Sequence, residues 1–213
     1  MLNIQEISTW EHKPVNEVVQ IHLDTFTGFF LTFMGRGFLK QMYSAYCGHD
    51  KSGLYVAFVG GKPVGFLAYS ADMSGLYKYM IKTRLVPFAW YATGAFFRRP
   101  KAFLRIIRAF LKPSESKRNE AYVELSSIGV SPDGKNLGIG SQLIQKLIAE
   151  TDFDTYSYIA LETDADNNEG ANRFYLKNGF ICERTYETPE HRRMHEYRFS
   201  PKEMTQHEAP VHT

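Results

Sequence analysis

Residues 121 to 150 set the first constraint on the fold. A β-rich run, AYVELSSIGV, leads through SPDGKNLGIG into a stripe of Ile139, Leu143, Ile144, Leu147 and Ile148 at helical spacing. Strand, glycine-bearing loop and amphipathic helix follow one another directly. Gly138 and Gly140 stand where the helix begins, and glycine there costs conformational entropy. The arrangement suits an anion held on bare backbone N–H groups at a helix start, with Lys135 adding a cation. The helix dipole supplies only about 0.3–1 kcal/mol when exposed, so several N–H donors must act together. On this segment alone the glycines serve equally well as a tight turn. A Walker loop is ruled out because Lys135 precedes the key glycines, and Leu143 stands where a dinucleotide fingerprint needs its third glycine.

The rest of the chain alternates strand and helix patterns. LNIQEIST reads as a short strand, and the segments at 15–26 and 35–47 read as helices, the second with Phe38, Leu39, Met42, Tyr43 and Tyr46 on one face. LYVAFVGGKPVGFLAYS is a hairpin turning at Gly60-Gly61-Lys62. After the helix at 139–150 come a strand at 156–163, a helix at 169–178 started by Asn167 or Asn168 and ended by Gly179, and a strand pair, FICERTYET and MHEYRFS. This order predicts an α+β or mixed α/β layered protein, one domain over 1–200. Residues 71–119 interrupt this alternation and read as a basic, aromatic helical insertion between the third and fourth strands, and 201–213 as a frayed, disordered tail.

Composition narrows the function classes. Only Cys47 and Cys182 are present, with no CxxC spacing, so a reducing cytoplasm is expected. The opening MLNIQEISTWEHKP lacks the order of a signal peptide, and no apolar run is long enough to span a membrane. The seven histidines never adopt a metal-binding spacing, and His191 and His195 fall out of register if RRMHEYRF is a strand, so no metal is expected. Charge is uneven. Lys78 to Arg118 holds eleven Lys and Arg against one acid, Glu115, although the whole chain is only +2. No nucleic-acid motif accompanies these cations, so a nucleic-acid partner is not expected.

A second motif joins the glycine segment. Asn168-Glu-Gly-Ala171 continues through Tyr175 to Gly179-Phe180, about 30 residues after Gly138. Together with Lys135-Asn136-Leu137-Gly138-Ile139-Gly140, the pattern resembles the GNAT superfamily of acyl-coenzyme A-dependent N-acetyltransferases. Lysine replaces that family's usual glutamine or arginine at the first position. The resemblance implies a central, mostly antiparallel sheet in which the fourth and fifth strands splay, with flanking helices. It implies acetyl-CoA as cosubstrate. Backbone groups of Ile128 and Val130 would meet the pantetheine arm, and amides from Lys135 through Asn136, Gly138, Ile139 and Gly140 to Ser141 the pyrophosphate. Asn168 would contact the cofactor arm, and Tyr175 would protonate the departing thiolate.

The implied reaction is attack of a primary amine on the thioester. Positioning supplies roughly 7–11 kcal/mol of such a barrier, and a general base adds about 10²–10⁴-fold. Glu124, fourteen residues before Gly138, is the first candidate base, although a solvated glutamate on an alternating strand fits the same pattern. Tyr175 fits a core aromatic as well as an acid. His22, Asp24 and His195 are weaker candidates. In PKAFLRIIRAFLK, at 100–112, Phe103, Ile106, Ile107, Phe110 and Leu111 oppose Lys101, Arg105, Arg108 and Lys112. That helix suits docking on the domain, a lid over an anionic acceptor, or peripheral contact with a membrane. The stretch HLDTFTGFFLTFMGRGFLKQMY resembles the opening of bacterial acetyltransferases of amino-sugar and surface-polysaccharide pathways. The expected acceptor is therefore a nucleotide- or lipid-linked amino sugar, with a homodimer left open. A non-turnover acyl-CoA-binding regulator and a membrane-surface interaction protein are the rival classes.

Overall fold

A computed structural model describes residues 1–8, 12–27, 30–98, 120–189 and 191–201. One seven-stranded sheet carries the fold. Its strands are β1 (Leu2–Glu6), β2 (Ser52–Val59), β3 (Lys62–Ser70), β4 (Tyr122–Val130), β5 (Tyr158–Asp164), β6 (Ile181–Glu187) and β7 (Arg193–Phe199). They lie in the order β1-β2-β3-β4-β5-β7-β6, antiparallel throughout except for the β4–β5 pair. Between β2 and β3, Gly60 and Gly61 both hold positive φ, 58° and 78°, as a two-residue hairpin turn of right-twisted strands demands.

Helices cover both faces, as expected from the sequence. On one face α1 (His12–Thr25), α3 (Arg36–Gly48) and the first half of α4 (Met73–Arg98) bury Val18, Val19, Leu39, Tyr43 and Leu76 against Val56, Phe66 and Ala68. On the other, α5 (Ile139–Glu150) and α6 (Glu169–Lys177) bury Leu143, Ile144, Leu147 and Tyr175 against Leu67, Val123, Leu125 and Ile159. The predicted apolar stripe of α5 is the buried one, except that Ile148 is only partly covered. Burial of each such side chain contributes roughly 1.5–3 kcal/mol.

One element departs from the sequence reading: a short helix, α2 (Phe30–Met34), precedes α3. In the insertion, 73–98 is helical, as two stretches that meet at a kink at Arg84 (φ −135°, ψ 16°). Pro87 accounts for the break, because its ring crowds the preceding turn and it has no N–H to continue the ladder. Asp72 starts α4 by accepting a 2.7 Å bond from the Gly75 N–H. The helix expected at 100–112, with its Phe103 and Arg105 faces, lies outside the described residues, as does the tail from 202.

Candidate functional site

The site is opened by a strand pair that stops early. β4 and β5 are in register only at Tyr122–Tyr158, Val123–Ile159 and Glu124–Ala160. Beyond that point β4 continues beside β3 to Val130, and β5 continues beside β7 to Asp164. The two strands therefore part, and from Leu125 onward the β5-facing edge of β4 has no strand partner among the described residues. Ile128 and Val130 lie on this free stretch, both half-buried. An extended ligand can add to such an edge by main-chain hydrogen bonds.

The mouth of the cleft is the start of α5. Gly138 is its N-cap residue in the left-handed region (φ 68°), and no side chain caps the helix. The N–H groups of Ile139, Gly140 and Ser141 therefore begin a helix without an internal partner, which is the physical requirement for holding an anion. A Cβ on Gly138 would meet nothing closer than Gln142 Nε2 at 4.0 Å, so this residue needs glycine for its backbone angle. Gly140 differs. A Cβ there would come within 3.0 Å of Phe174 Cζ, so its missing side chain makes room for α6 to pack. The reading that both glycines clear space for an anion applies on this geometry to Gly138 alone. Asn136 also holds positive φ (63°), and it, Leu137 and Lys135 are exposed beside the helix start.

Asn168 sits at the N-cap position of α6, yet its side chain caps nothing. Its amide nitrogen instead donates to Thr163 Oγ1 (2.7 Å) and to the Asp164 carbonyl (3.2 Å), fixing the end of β5. Asn172, one turn on, donates to the Asp164 and Ala165 carbonyls, and its own Oδ1 is buried without a partner. Tyr175 is 9 % exposed, within a ring cluster of Phe174, Phe180 and Tyr197 at 5.4–6.0 Å. Burial, and then Tyr197, push its hydroxyl up to about 12, so it keeps its proton at neutral pH.

Glu124 occupies the last paired position before the strands part, opposite Ser70 of β3. Its charge reaches Tyr46 of α3 and Tyr77 of α4, whose hydroxyls burial holds well above their ordinary value. Just beyond, the register of β3 and β4 slips between Ala68 and Tyr69, leaving Ser126 as an extra residue. This bulge turns two consecutive serines toward the same helices: Ser126 Oγ contacts Met73 Sδ (3.5 Å), and Ser127 Oγ contacts Tyr43 Oη (3.4 Å). Tyr43 in turn bonds His22 Nδ1 at 2.7 Å. His22 is 3 % exposed, its Nε2 is unpartnered, and burial lowers its pKa to about 4, so the ring is neutral at physiological pH.

The weaker candidates lie apart. Asp24 is exposed and accepts from Gln20 (2.7 Å). His195, on β7, bonds Thr185 Oγ1 (2.8 Å), while His191 pairs with Glu187 (2.6 Å). By strand alternation His195 faces away from Glu124. The two histidines go to separate partners, and among the described residues no group of three or more His, Cys, Asp or Glu is placed to hold a metal. Sequence reasoning missed Tyr46, Tyr77, Ser126 and Ser127. The tyrosines sit inside apolar stripes of helices far apart in the chain, and no sequence signal marks the bulge.

The Acetyltransferase (GNAT) family model matches residues 15–180, which spans both the parted strands and the two glycine-bearing helix starts. The chain belongs to the GNAT acetyltransferase family. It is an acetyl-CoA-dependent N-acetyltransferase. Its GNAT fold is shared with solved structures of low identity. An acetyltransferase of the GNAT family from Desulfovibrio desulfuricans is 13% identical, with TM-score 0.61, covering 94% of this chain and 99% of that one. The ribosomal-protein-S18-alanine N-acetyltransferase of Escherichia coli is 15% identical, with TM-score 0.55 and 94% of each chain covered. Arabidopsis thaliana NAA60, solved with acetyl-CoA, is 16% identical, with TM-score 0.57, covering 95% of this chain and 99% of that one. No curated protein matches the sequence.

Proposed function

We propose that this GNAT enzyme acetylates the primary amine of a nucleotide- or lipid-linked amino sugar by direct attack, with Glu124 as general base and Tyr175 as general acid. The observation that carries the reading is the parting of β4 and β5 directly after Glu124, in line with the uncapped, glycine-started α5. Acetyl-CoA, when bound, supplies the activated acetyl thioester. The residues fit it: the strand edge at Ile128 and Val130, where the Thr25 hydroxyl reaches the Val130 carbonyl at 3.4 Å, offers backbone partners to an amide-bearing arm, and the amides from Lys135 to Ser141 offer donors to its phosphates.

On this reading Glu124, at the last paired position before the strands part and within electrostatic reach of Tyr46 and Tyr77, takes the proton of an incoming ammonium. In the same reading Tyr175 Oη, still protonated at neutral pH, hydrogen-bonds the departing thiolate and passes it the proton as coenzyme A leaves as the thiol, the phenolate recovering its proton from solvent. The cation-rich run from Lys78 onward starts in α4, the helix that brings Tyr77 to Glu124, so an acceptor bearing phosphate is favoured on electrostatic grounds.

Calorimetric titration with acetyl-CoA, on wild type and on a Gly138→Glu/Gly140→Glu variant, tests the binding half. Micromolar binding lost in the folded variant supports it, and absence of binding to folded wild type removes it. Initial rates on nucleotide-linked amino sugars, against free amino sugars and peptide α-amines, test the acceptor half. A preference for peptide amines would overturn it.

A further inference from the structure

After the break, α4 packs on α3 through Phe88 and Tyr91. Phe88 stacks edge-on against Phe38 of α3 (4.9 Å), and the Tyr91 ring lies over Gly37. The outer side is where an ordinary surface helix places its polar residues. Here it carries Ile81, Leu85, Val86 and Trp90, exposed by 55, 58, 79 and 75 %. Ala89 between them is exposed as well. Lys78 and Lys82, both exposed, stand four apart before the break at Arg84, and Val86 and Trp90 stand four apart after it. Between Met73 and Arg98 there is no Asp or Glu at all.

We propose that this outer face of α4 rests on a membrane surface rich in anionic lipid. The charge decides the occupant. A one-signed pair of exposed lysines followed along the chain by an exposed apolar and aromatic stretch complements negative headgroups above acyl chains, with the lysine stems lying along the boundary. The helix lies on the surface rather than crossing it. Lys78, Lys82 and Arg84 interrupt it, and no described helix is long and apolar enough to span. The same helix begins in the core with Leu76 and Met80, and places Tyr77 beside Glu124. The contact would therefore hold the acetyl-transfer cleft near the headgroup layer.

Co-sedimentation of the full-length chain with vesicles tests this, comparing phosphatidylcholine alone with phosphatidylcholine mixed with phosphatidylglycerol. Wild type is expected to pellet with the anionic vesicles and to be released by salt. Lys78→Glu/Lys82→Glu should weaken partitioning by at least about ten-fold, and Val86→Asp/Trp90→Asp should abolish it. Both variants should keep wild-type acetyl-CoA affinity, which shows that they fold. In a Trp10→Phe background, Trp90 is the sole tryptophan, and its emission should shift to the blue on anionic vesicles only. Failure of wild type to pellet overturns the proposal, and so does undiminished binding by both variants, which would move the contact to another segment. A Trp90 already shielded without vesicles would show that the chain covers this face itself. A dimer broken by Val86→Asp/Trp90→Asp, with no vesicle binding, would assign the face to a second copy.

Discussion

The roles proposed for Glu124 and Tyr175 can be tested separately. Glu124→Gln keeps the shape of the fork but removes the proton acceptor, and kcat/KM should fall by about 10²–10⁴-fold with little change in acetyl-CoA affinity. Steady-state rates and a titration measure the two independently. Tyr175→Phe should lower kcat while leaving the melting temperature nearly unchanged, because its ring packs among Phe174, Phe180 and Tyr197 and no hydrogen bond of its hydroxyl is lost from the described structure. A variant with wild-type kcat would make Tyr175 a core aromatic and nothing more. The sequence offered both residues as candidates through the family resemblance, Tyr175 by its place in the second motif and Glu124 by its place on the strand ahead of the glycine segment. What separates Gly138 from Gly140 was not. One needs glycine for its backbone angle of 68° and the other for the Phe174 ring at 3.0 Å, and only a neighbour 34 positions away in sequence reveals the second reason.

The helices show where periodicity succeeds as a guide. α5 runs from Ile139 to Glu150, as its apolar stripe predicts, because one face is buried and the other solvated. α4 breaks that logic. After Arg84 it packs Phe88 and Tyr91 on α3 while Leu85, Val86 and Trp90 stay exposed, so no alternation of polar and apolar faces marks that stretch. The contact between these helices can be tested on its own. Gly37 lies within α3 directly under the Tyr91 ring, so Gly37→Ala should destabilise by about 1–3 kcal/mol through overpacking. In a Tyr91→Ser background the clash is gone. The same substitution should then stabilise by up to about 1 kcal/mol, the difference in helix propensity between alanine and glycine. Urea denaturation of the four chains closes this cycle, and equal effects of Gly37→Ala in both backgrounds would mean that Tyr91 does not press on α3.

At the scale of the molecule, one helical layer and the sheet meet around one buried imidazole. His22 of α1 is tied through Tyr43 of α3 to Ser127 of β4, so its environment exists only when the layer is assembled. Strand order of this kind follows from long-range pairing, and β7 lying between β5 and β6 was not specified by local sequence pattern. Neither was this three-residue chain, which joins positions 21 and 84 residues apart. The burial of His22 makes assembly sensitive to pH in a definite direction. Its folded pKa lies near 4 against 6.5 for an ordinary imidazole, because desolvation disfavours the cation. Between those values the unfolded chain binds the proton and the folded one does not, so stability rises with pH through this window. Its contribution is fully present above about pH 6.5 and is lost as pH falls towards 4, by about 3 kcal/mol at most. His22→Asn can still reach Tyr43 but has no proton to take up. It should be less stable than wild type at pH 7, and should lose less stability than wild type between pH 6.5 and 4, by urea midpoints measured across that range. Parallel losses in the two chains would show that the acid sensitivity comes from the carboxylates, with His22 charged or solvated in the folded state after all.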